Sequence, residues 1–474
     1  MDDPREIRLS GQWVADAIGG TITAGSAARE FSGVSIDTRT LAAGELFVAI
    51  RGERFDGAEF APAAVAAGAA GVVVERGRRG NVPPRRGGDE IVVIEVPDAV
   101  VALQQLARRV RRQSGTKVVA ITGSAGKTTT KEVTAEFLAA RYRVIRNRGN
   151  FNNHIGLPLS LIDLRQRPEI AVVELGMNHA GEISTLVDIA EPDVRVWTNV
   201  GEAHLGFFES VEAIADAKAE ILEGADASNL LVANADDARI AARIPAFRGR
   251  VVTVGVDRKA DVRATDVRDR GIDGIEAQVH TTKGAFALIT PLVGRGNLAN
   301  VLAATAVALE FDVPLTTIAE TAARLKPAAH RGEILRLSRG VTVVDDSYNA
   351  NPTATTIALA VLAGSSGRSR RVAVLGEMLE LGDAGTGLHE DVGRAAAAAR
   401  VDALIAVGGE MARALADAAV AAGLARSAVR YVTTSSDAAE LVATIVRDGD
   451  LVLVKGSRGV RTDLVVDRLR AEFA

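Results

Sequence analysis

Short runs of apolar residues alternate along this chain with longer segments in which apolar residues recur at helical spacing. Between residues 113 and 330 the apolar runs are KVVAIT, EIAVVEL, VRVWTNV, NLLVANA and VVTVGV. Continuous apolar runs separated by amphipathic helices are typical of a parallel sheet that helices cover on both faces. A more polar stretch, residues 261–292, predicts short antiparallel strands, and two helices are predicted at Leu298–Phe311 and Thr316–Leu325.

The two flanking regions carry a similar pattern on a smaller scale. Residues 1–112 mix the strand-like runs ELFVAI, GVVVE and IVVIEV with an alanine-rich helical stretch, and residues 331–474 continue with VTVVDD, RVAVLG, ALIAVGG, VRYVTT and LVLVKGS. A chain of 474 residues is also too long for one ordinary core. We therefore predict an α/β protein with three domains: a small mixed α/β N-terminal domain (1–112), a central parallel sheet flanked by helices (113–330) and a C-terminal Rossmann-like open sheet (331–474).

Composition narrows the classes of function. Hydrophobic residues make up 47% of the chain and charged residues 24%, and a net charge of −4 gives no bulk basic surface for nucleic acid or acidic lipid. The absence of cysteine excludes disulfides, thiolate metal sites and a cysteine nucleophile. The charged start MDDPREIRLSGQW lacks the apolar segment of a signal peptide, and no uncharged apolar stretch reaches the ~18 residues that span a bilayer. We expect a cytoplasmic protein without a nucleic-acid or membrane partner.

The segment VVAITGSAGKTTTKE, residues 118–132, carries a strong local signal. An apolar run leads through glycines, Lys127 and three threonines into a helical segment, which is where a phosphate-binding loop lies. Backbone N–H groups and the positive helix end favour an anion there, the lysine can reach terminal phosphates, and a threonine hydroxyl can ligate Mg²⁺. The standard pattern G-x-x-x-x-G-K-[ST] requires glycine where this chain has Ile121. A glycine-rich turn with a solvated lysine is therefore the alternative.

Polar residues that follow two later apolar runs are candidates for binding the metal that a nucleotide requires. Glu174 and Asn199 lie at predicted strand ends, and His204 lies in the loop after Asn199. Open α/β sheets bind ligands at the carboxyl ends of their strands, and Mg²⁺ prefers oxygen donors. Taken singly, Glu174 is more simply an ordinary charged strand end and His204 a loop-packing histidine. Lys218, on the next helical segment, is by default a solvated helix lysine.

These segments together resemble the Mur ligase family, the ATP-dependent amide-forming enzymes of peptidoglycan precursor assembly. That family uses the compressed loop G-[TS]-x-G-K-[TS]-[ST], which accounts for the missing glycine at Ile121. Further matching segments are NRGNFNNHIGLPLSL, GRGNLANVLAATAVA, HRGEI, DDSYNANPTATTIAL, VLGEMLELG and VLVKGSRGVRTDLVV. They lie in family order across nearly the whole chain. The resemblance implies a P-loop ATP-binding central domain, a uridine-nucleotide-binding first domain and a ligase C-terminal domain.

The resemblance also implies which residues bind the substrates. The segment SIDTRTLAAGELFVAIRGERFDGAEF is similar to the uridine-nucleotide-binding segment of the family, which is usually written with D-S-R. This chain reads Asp37-Thr38-Arg39 and so keeps the hydroxyl. In the C-terminal domain, Tyr348 and Asn349 would lie near the reacting groups. The implied substrate-binding residues are Ser35, Asp37, Thr38, Arg39, Asn150, Asn152, Asn153, Tyr348 and Asn349.

For ATP, the resemblance implies contacts from the loop and from both later domains. Asn297 and Asn300 would lie on a helix beside the adenine, Arg331 would reach the phosphates and Asp346 the ribose. The family commonly has histidine before the first of these asparagines, whereas this chain has Gly296. The implied ATP-binding residues are Gly123, Ser124, Ala125, Gly126, Lys127, Thr128, Thr129, Asn297, Asn300, Arg331 and Asp346.

By the same resemblance, the catalytic residues are Lys127, Glu174, His204 and Lys218. Thr128 and Glu174 would hold one Mg²⁺ ion, and His204 and Lys218 would hold or position a second. In related ligases this lysine is carbamylated by CO₂, which replaces a cation that repels Mg²⁺ with an oxygen donor. We therefore expect ATP and two Mg²⁺ ions as cofactors, with Lys218 as a carbamate.

The implied activity is ATP-dependent amide bond formation through an acyl phosphate. Within the family, DSYNANP, GNFNNHIG and GEMLELG favour the member that joins D-alanyl-D-alanine to UDP-N-acetylmuramoyl-tripeptide, giving the pentapeptide, ADP and phosphate. The alternative is a sibling ligase that adds a single amino acid, although the D-N-P-R of the diamino-acid-adding sibling is absent here. A nucleotide-driven switch is disfavoured because the chain lacks Asn-Lys-x-Asp. The family expectation is a monomer.

Overall fold

The computed structural model describes residues 6–52, 54–79, 82, 90–147, 149–365 and 370–474. The chain divides into two compact units. The first unit comprises Met1–Ala120, Tyr142–Met177 and Gly181–Val194, and the second comprises Ile121–Arg141, Asn178–Ala180 and Arg195–Ala474. No helix of the described residues is long and apolar enough to cross a membrane.

Strands and helices alternate along most of the described chain. The strands are β1 Leu9–Ser10, β2 Thr21–Ala24, β3 Glu30–Phe31, β4 Val34–Ser35, β5 Leu46–Val48, β6 Gly71–Glu75, β7 Val92–Val96, β8 Lys117–Thr122, β9 Val144–Arg146, β10 Ile170–Glu174, β11 Val194–Trp197, β12 Leu230–Asn234, β13 Arg250–Gly255, β14 Val262–Asp269, β15 Ile275–Thr281, β16 Gly284–Thr290, β17 Glu333–Arg336, β18 Thr342–Asp346, β19 Arg371–Gly376, β20 Ala403–Val407, β21 Val429–Val432 and β22 Leu451–Lys455. The helices are α1 Gly11–Ile18, α2 Ala61–Ala66, α3 Ala99–Ser114, α4 Lys127–Ala139, α5 Gly156–Ile162, α6 Glu182–Ala190, α7 Val211–Ala219, α8 Ala238–Arg243, α9 Arg295–Glu310, α10 Leu315–Ala322, α11 Pro352–Gly364, α12 Gly385–Ala398, α13 Glu410–Ala421, α14 Ser435–Ile445 and α15 Asp463–Glu472.

The first unit contains a mixed sheet whose described strands run in the order β2-β7-β6-β5-β4. The strand β2 is antiparallel to β7, and the other neighbours are parallel. The predicted strand runs ELFVAI, GVVVE and IVVIEV correspond to β5, β6 and β7. The helix α3 begins where Asp98 accepts a hydrogen bond from the Val101 N–H, and it ends at Gly115, whose φ of 68° suits glycine.

The strands β11 to β16 of the second unit follow one another in the sheet in chain order. The pairs β12–β13 and β13–β14 are parallel, whereas β14–β15 and β15–β16 are antiparallel. The prediction of antiparallel strands within residues 261–292 is therefore confirmed. Helix α9 packs against α4, and it is buried over most of its surface because its residues are apolar or small all round. The predicted helix bounds differ from α9 and α10 by a few residues at each end.

The C-terminal part of the second unit is an open sheet whose described strands run in the order β17-β18-β22-β19-β20-β21. The edge strand β17 is antiparallel to β18, and the remaining pairs are parallel. Each face of this sheet carries its own apolar core, one around Leu375 and Leu453 and the other around Val374 and Val454. Burial on both faces explains why these strands read as continuous apolar runs in the sequence.

Candidate active site

The turn from β8 into α4 has a backbone shape that requires glycine at two positions. This segment, residues 123–129, is called the glycine loop below. Gly123 has φ 148° and Gly126 has φ 80°. A Cβ at position 126 would lie 2.4 Å from Asn300 Oδ1, and one at position 123 would lie 2.0 Å from Thr198 Oγ1. Both glycines are therefore needed for the close approach of the neighbouring side chains.

The glycine loop is held by the segment that follows β11. Asn199 Oδ1 accepts from the Ala125 N–H at 2.8 Å, and Asn199 Nδ2 donates to Ala125 O at 2.9 Å. Thr198 Oγ1 donates to the same carbonyl at 2.8 Å. The Ser124 N–H donates to Asn199 O at 3.0 Å. The structure thus gives Asn199, which the sequence offered as a metal ligand, the role of fixing the loop.

The lysine of the loop is the first residue of α4, and its Nζ donates to Gly123 O at 2.8 Å. The N-cap position of α4 is Gly126, which carries no capping side chain. The positive end of a 13-residue helix therefore faces the loop without competition from a cap residue. Thr129 is buried and Thr128 half-buried in the first turn of the helix. This arrangement suits an anion such as a nucleotide phosphate.

The charges of the loop lysine, Lys127, and of Lys218 both act on His204. His204 adopts a left-handed conformation with φ 64°, and its Nδ1 lies 2.7 Å from Glu380 Oε2. Burial lowers the pKa of His204, the charges of Lys127 and Lys218 lower it further, and Glu380 opposes them. The net direction favours a neutral imidazole. Three of the four predicted catalytic residues, Lys127, His204 and Lys218, belong to the second unit, and the charges of the two lysines reach His204.

Lys218 is buried, unlike most lysines on helices. It lies on α7 with a side chain that is 1% exposed, so the default of a solvated lysine is wrong. Burying an ammonium group is costly unless it is paired or changed chemically. A buried lysine whose charge acts on His204 is thus a functional-site candidate on structural grounds as well.

The predicted nucleotide-binding asparagines on α9 form a chain of hydrogen bonds. Asn300 is 5% exposed, and its Nδ2 donates to Asn297 Oδ1 at 3.1 Å. Asn297 Nδ2 in turn donates to Val293 O at 2.9 Å. Among the described atoms, the nearest to a Cβ at Gly296 is Ile357 Cδ1 at 3.9 Å. The departure from the family histidine at position 296 is therefore not imposed by crowding at the Cβ.

The predicted C-terminal site residues lie around the carboxyl ends of β18 and β22. The guanidinium carbon of Arg331 lies 4.0 Å from the centroid of the Tyr348 ring, which is cation–π distance. Lys455 Nζ lies 2.6 Å from Asp346 Oδ2 and donates to Asn349 O at 3.0 Å. Lys455 is 3% exposed, so this pair is held firmly. Asp346 and Asn349 are thus organised by Lys455, which was not among the predicted site residues.

In the first unit, Glu174 ends β10 and is 4% exposed. Asn152 Nδ2 donates to Glu174 Oε1 at 2.8 Å, and the Glu174 N–H donates to Asn147 Oδ1 at 3.1 Å. The interpretation of Glu174 as an ordinary exposed strand-end charge is therefore wrong. Asn153 Oδ1 accepts from the Gly156 N–H at 2.8 Å at the start of α5, and Asn150 is exposed. The three predicted asparagines thus have three different environments.

The predicted uridine-binding residues form a turn, residues 35–39, which is closed by hydrogen bonds among its own residues and is called the Asp37 turn below. Ser35 Oγ accepts from the Asp37 N–H at 3.2 Å, and Arg39 Nη2 donates to Asp37 Oδ2 at 2.6 Å. Arg39, through its side-chain hydrogen bonds first and its backbone N–H second, lowers the pKa of Asp37 to about 2. The Arg39 side chain is 86% exposed and Thr38 is half-buried, so both can reach a ligand from the surface.

Three organising residues were not predicted: Asn147, Glu380 and Lys455. Each contacts a predicted site residue from a distant position in the sequence. All three lie in segments that resemble the family, but the segments alone do not show these contacts. A charged residue at the end of a buried run was the available signal for Lys455, which ends VLVK, as it was for Glu174. Within the described ranges no group of three or more His, Asp or Glu side chains is arranged to hold a metal ion.

Comparisons with known proteins cover the same segments. Residues 30–111 match the catalytic domain of the Mur ligase family, residues 121–308 the Mur ligase middle domain, and residues 330–458 the glutamate ligase domain of Mur ligases. The chain is 34% identical over 437 residues to a UDP-N-acetylmuramoyl-tripeptide–D-alanyl-D-alanine ligase of Bacillus subtilis (strain 168), covering 92% of this chain and 93% of that one. A protein of the same name from Escherichia coli (strain K12) is 37% identical over 377 residues, covering 79% and 81%.

Solved structures agree with these matches. A crystal structure of MurF from Acinetobacter baumannii superposes with a TM-score of 0.86 at 30% identity, covering 99% of this chain and 100% of that chain. MurF ligase from Thermotoga maritima in complex with ADP gives a TM-score of 0.80 at 29% identity, covering 93% and 97%. The predicted three-domain α/β architecture is confirmed. The domain boundaries at 112/113 and 330/331 stay predictions.

Proposed function

Because the chain belongs to the Mur ligase family, we propose that it is the ATP-dependent ligase that joins D-alanyl-D-alanine to UDP-N-acetylmuramoyl-tripeptide. The products are UDP-N-acetylmuramoyl-pentapeptide, ADP and phosphate. The glycine loop is the observation that supports this activity best. The charges of its Lys127 and of the buried Lys218 both lower the pKa of His204. Relatives that carry the name of this ligase match the chain over 79% to 92% of its length, which favours the dipeptide over a single amino acid.

The chemical problem is that a carboxylate in water is a poor electrophile. Transfer of the ATP γ-phosphate to the terminal carboxylate of the tripeptide would give an acyl phosphate, and phosphate would then leave after attack by the dipeptide amine. Phosphoryl transfer needs in-line positioning and neutralisation of charge more than covalent help from the protein. Lys127 and the N–H groups at the start of α4 would supply both to the β- and γ-phosphates.

The donor set fits Mg²⁺, since a hydroxyl, a buried carboxylate and a neutral imidazole are all ligands that it or its bound waters accept. Thr128 and Glu174 would hold one ion, and His204 and Lys218 as a carbamate would hold or position a second. When bound, Mg²⁺ would offset the repulsion between an anionic acceptor and an anionic donor. Neutral His204 avoids adding a positive charge beside the lysines.

The remaining predicted residues would bind the two ends of the substrates. The Asp37 turn would contact the uridine nucleotide, with Asn150, Asn152 and Asn153 along the path of the substrate. Asn297 and Asn300 would flank the adenine. In the C-terminal sheet, Arg331 would reach the phosphates, Asp346 the ribose, and Tyr348 and Asn349 the reacting groups. A cytoplasmic monomer without nucleic-acid or membrane partners stays the prediction for the protein in the cell.

The test is phosphate release from Mg-ATP with one acceptor omitted at a time. We expect release to require both UDP-N-acetylmuramoyl-tripeptide and D-alanyl-D-alanine. A requirement for a single amino acid and a shorter nucleotide peptide would identify the sibling ligase instead. Release without any acceptor would place the protein among nucleotide-driven switches or ATPases and would overturn the proposal.

The carbamate on Lys218 has a separate test that does not depend on turnover. The full chain is equilibrated with ¹³C-bicarbonate and examined by ¹³C NMR for a carbamate resonance. We expect one such signal in the wild type and its loss in Lys218→Ala. Lys131→Ala is the matched control, because Lys131 is also 1% exposed but lies on α4 rather than beside His204. A wild-type spectrum without the signal, or a signal that survives in Lys218→Ala, would refute carbamylation at this position.

A further inference from the structure

Within the second unit, residues 201–207 pack against residues 376–382. The Gly206 N–H donates to Glu380 O at 2.7 Å, and a Cβ at Gly206 would lie 2.9 Å from Gly382 N. Next to it, Thr353 Oγ1 donates to Glu202 Oε2 at 2.6 Å. The two backbones thus pack against each other closely enough to exclude side chains at both glycines. His204 and Glu380 meet in the middle of this contact.

The loop that carries Glu380 is fixed along its backbone. The Glu377 N–H donates to Val407 O at 2.9 Å, and the Leu379 N–H donates to Ser457 Oγ at 2.9 Å. Between them, the Met378 N–H donates to His389 Nε2 at 2.9 Å. Burial lowers the pKa of His389, so its ring is neutral and can accept this bond. The backbone of the three residues before Glu380 is therefore held in place, and the Glu380 side chain, which is 47% exposed, reaches His204 from this fixed loop.

Glu380 itself has a left-handed backbone with φ 65°, as does His204 with φ 64°. Side chains other than glycine adopt this conformation rarely, and it tends to persist where the surroundings require it. Two such residues, 176 positions apart in sequence, face each other across one hydrogen bond of 2.7 Å. The pairing is therefore a built feature of the contact and not a chance approach of two flexible surface side chains.

The chemistry of the pair fixes the form of the imidazole. A carboxylate accepts hydrogen bonds and donates none, so a neutral His204 must donate from Nδ1. Its Nε2 then keeps a lone pair. Carboxylate–histidine pairs of this kind hold the ring orientation and raise the basicity of the free nitrogen in many metal sites. The charges of Lys127 and Lys218 act on this ring and lower its pKa.

We propose that Glu380 is a positioning residue for His204, which it holds in the Nδ1-protonated form so that Nε2 can serve a divalent cation bound with ATP. Because Glu380 lies in the loop that follows β19 of the C-terminal sheet, that loop supplies the partner that favours this form of the imidazole. This inference deepens the proposed function and rests on it for the role of His204.

The first test reads the tautomer directly and needs neither metal nor nucleotide. The full chain is labelled with ¹⁵N-histidine, which gives six rings to resolve, and His204→Gln identifies the signals of His204. We expect His204 of the wild type to be protonated at Nδ1. In Glu380→Ala the proton should shift to Nε2, the form that a solvated imidazole prefers. Thr353→Ala should leave the signal unchanged, because it removes a docking contact without touching His204.

The second test separates positioning from docking by steady-state kinetics with both substrates. Glu380→Ala should lower kcat by about 10- to 100-fold, the usual effect of losing an orienting partner, with KM for the nucleotide substrate changed less than about threefold. Glu380→Gln keeps an acceptor for Nδ1–H and should fall between the wild type and the alanine variant. Thr353→Ala should stay within about threefold of the wild type in kcat, and thermal unfolding of each variant reports whether it folds.

Two results would overturn the inference: an Nδ1-protonated His204 that persists in Glu380→Ala, or equal losses of kcat in Glu380→Ala and Thr353→Ala. The first would remove the orienting role, and the second would reduce Glu380 to a docking contact. A wild-type protein that releases no phosphate with both substrates would refute the proposed function instead. The tautomer measurement would still decide whether Glu380 orients His204.

Discussion

The glycine loop and the Asp37 turn are both short polar segments, but they are held in opposite ways. The Asp37 turn is closed by its own residues, since Ser35 and Arg39 bond to Asp37 within two positions of sequence. The glycine loop is shaped by Thr198 and Asn199, more than seventy positions later in the chain. The side-chain hydrogen bonds that close the Asp37 turn are thus local, although its Ser35 also pairs with Phe47 of β5, whereas the glycine loop depends on a neighbouring strand end.

This difference explains why the loop matched the standard pattern imperfectly. The spacing of its glycines is set by what they must avoid, and the nearest atoms to Cβ groups there belong to Thr198 and Asn300. A pattern written for another set of neighbours need not apply. The change from D-S-R to D-T-R in the Asp37 turn keeps the hydroxyl.

Among variants that test the difference between the two segments, Lys127→Met in the glycine loop should have the largest effect on activity. Removing the charge that would face the β- and γ-phosphates should lower phosphate release on the order of 10²- to 10³-fold. Lys117→Met is the matched control, because Lys117 lies at the opposite end of β8 in an exposed pair with Asp193. Activity within tenfold of the wild type in Lys127→Met would show that the loop does not work on phosphate.

An intermediate effect is expected from Asn199→Ala, which removes the outside support of the loop. The Ala125 N–H and carbonyl would each lose a partner, so the free energy of unfolding should fall by about 1–3 kcal/mol. Urea denaturation measures this change. Asn229→Ala, which removes an exposed bond to the Asp226 N–H, should cost about 0.5 kcal/mol or less. Equal losses in the two variants would contradict the claim that the loop depends on Asn199.

The smallest effect concerns the Asp37 turn and is best read as a titration. The pKa of Asp37 is about 2 in the folded protein against an ordinary value of 3.8, so its pairing with Arg39 stabilises the fold above pH 3.8. That contribution is lost as the pH falls from 3.8 through 2. In Arg39→Ala the carboxyl should titrate near its ordinary value, which NMR of the Asp37 side chain measures at low pH. A midpoint that stays near 2 without Arg39 would show that other groups hold the charge.

How far sequence reasoning reached depends on the distance between interacting residues. Continuous apolar runs identified the strands that are buried on both faces in all three regions, because such strands have no polar positions to interrupt them. The partly exposed strands β2, β9 and β17 were not predicted. The glycine loop was predicted from an apolar run, two glycines and the start of a helix, all of which lie within the fifteen residues 118–132. Family resemblance added residues such as Asn297 and Asp346 that no local pattern would single out.

The sequence did not reveal the hydrogen-bond partners of the site residues or the burial of Lys218. Neither Glu380 nor Lys455 could be paired with His204 or Asp346 before the fold was known, since the partners are 176 and 109 positions apart. The burial of Lys218 was also not predicted, because a helix lysine is usually solvated. The apolar residues one turn away, Ile214, Ile221 and Leu222, were the available signal for a buried face. The fold overrides that tendency where a site needs the side chain inside.

The order of strands in the C-terminal sheet has a consequence for how this protein is made. Strand β22 lies between β18 and β19 in that sheet, although it is synthesised after both. Asp346 and Lys455, at the ends of β18 and β22, are separated by 109 positions, which a ribosome adds in roughly 5 to 20 s. During that interval β18 and β19 lack the strand that joins them. A nascent chain stopped short of residue 451 would leave β18 paired only with β17 and β19 paired only with β20, each with one open apolar edge, so quality control in the cell should recognise truncated copies readily.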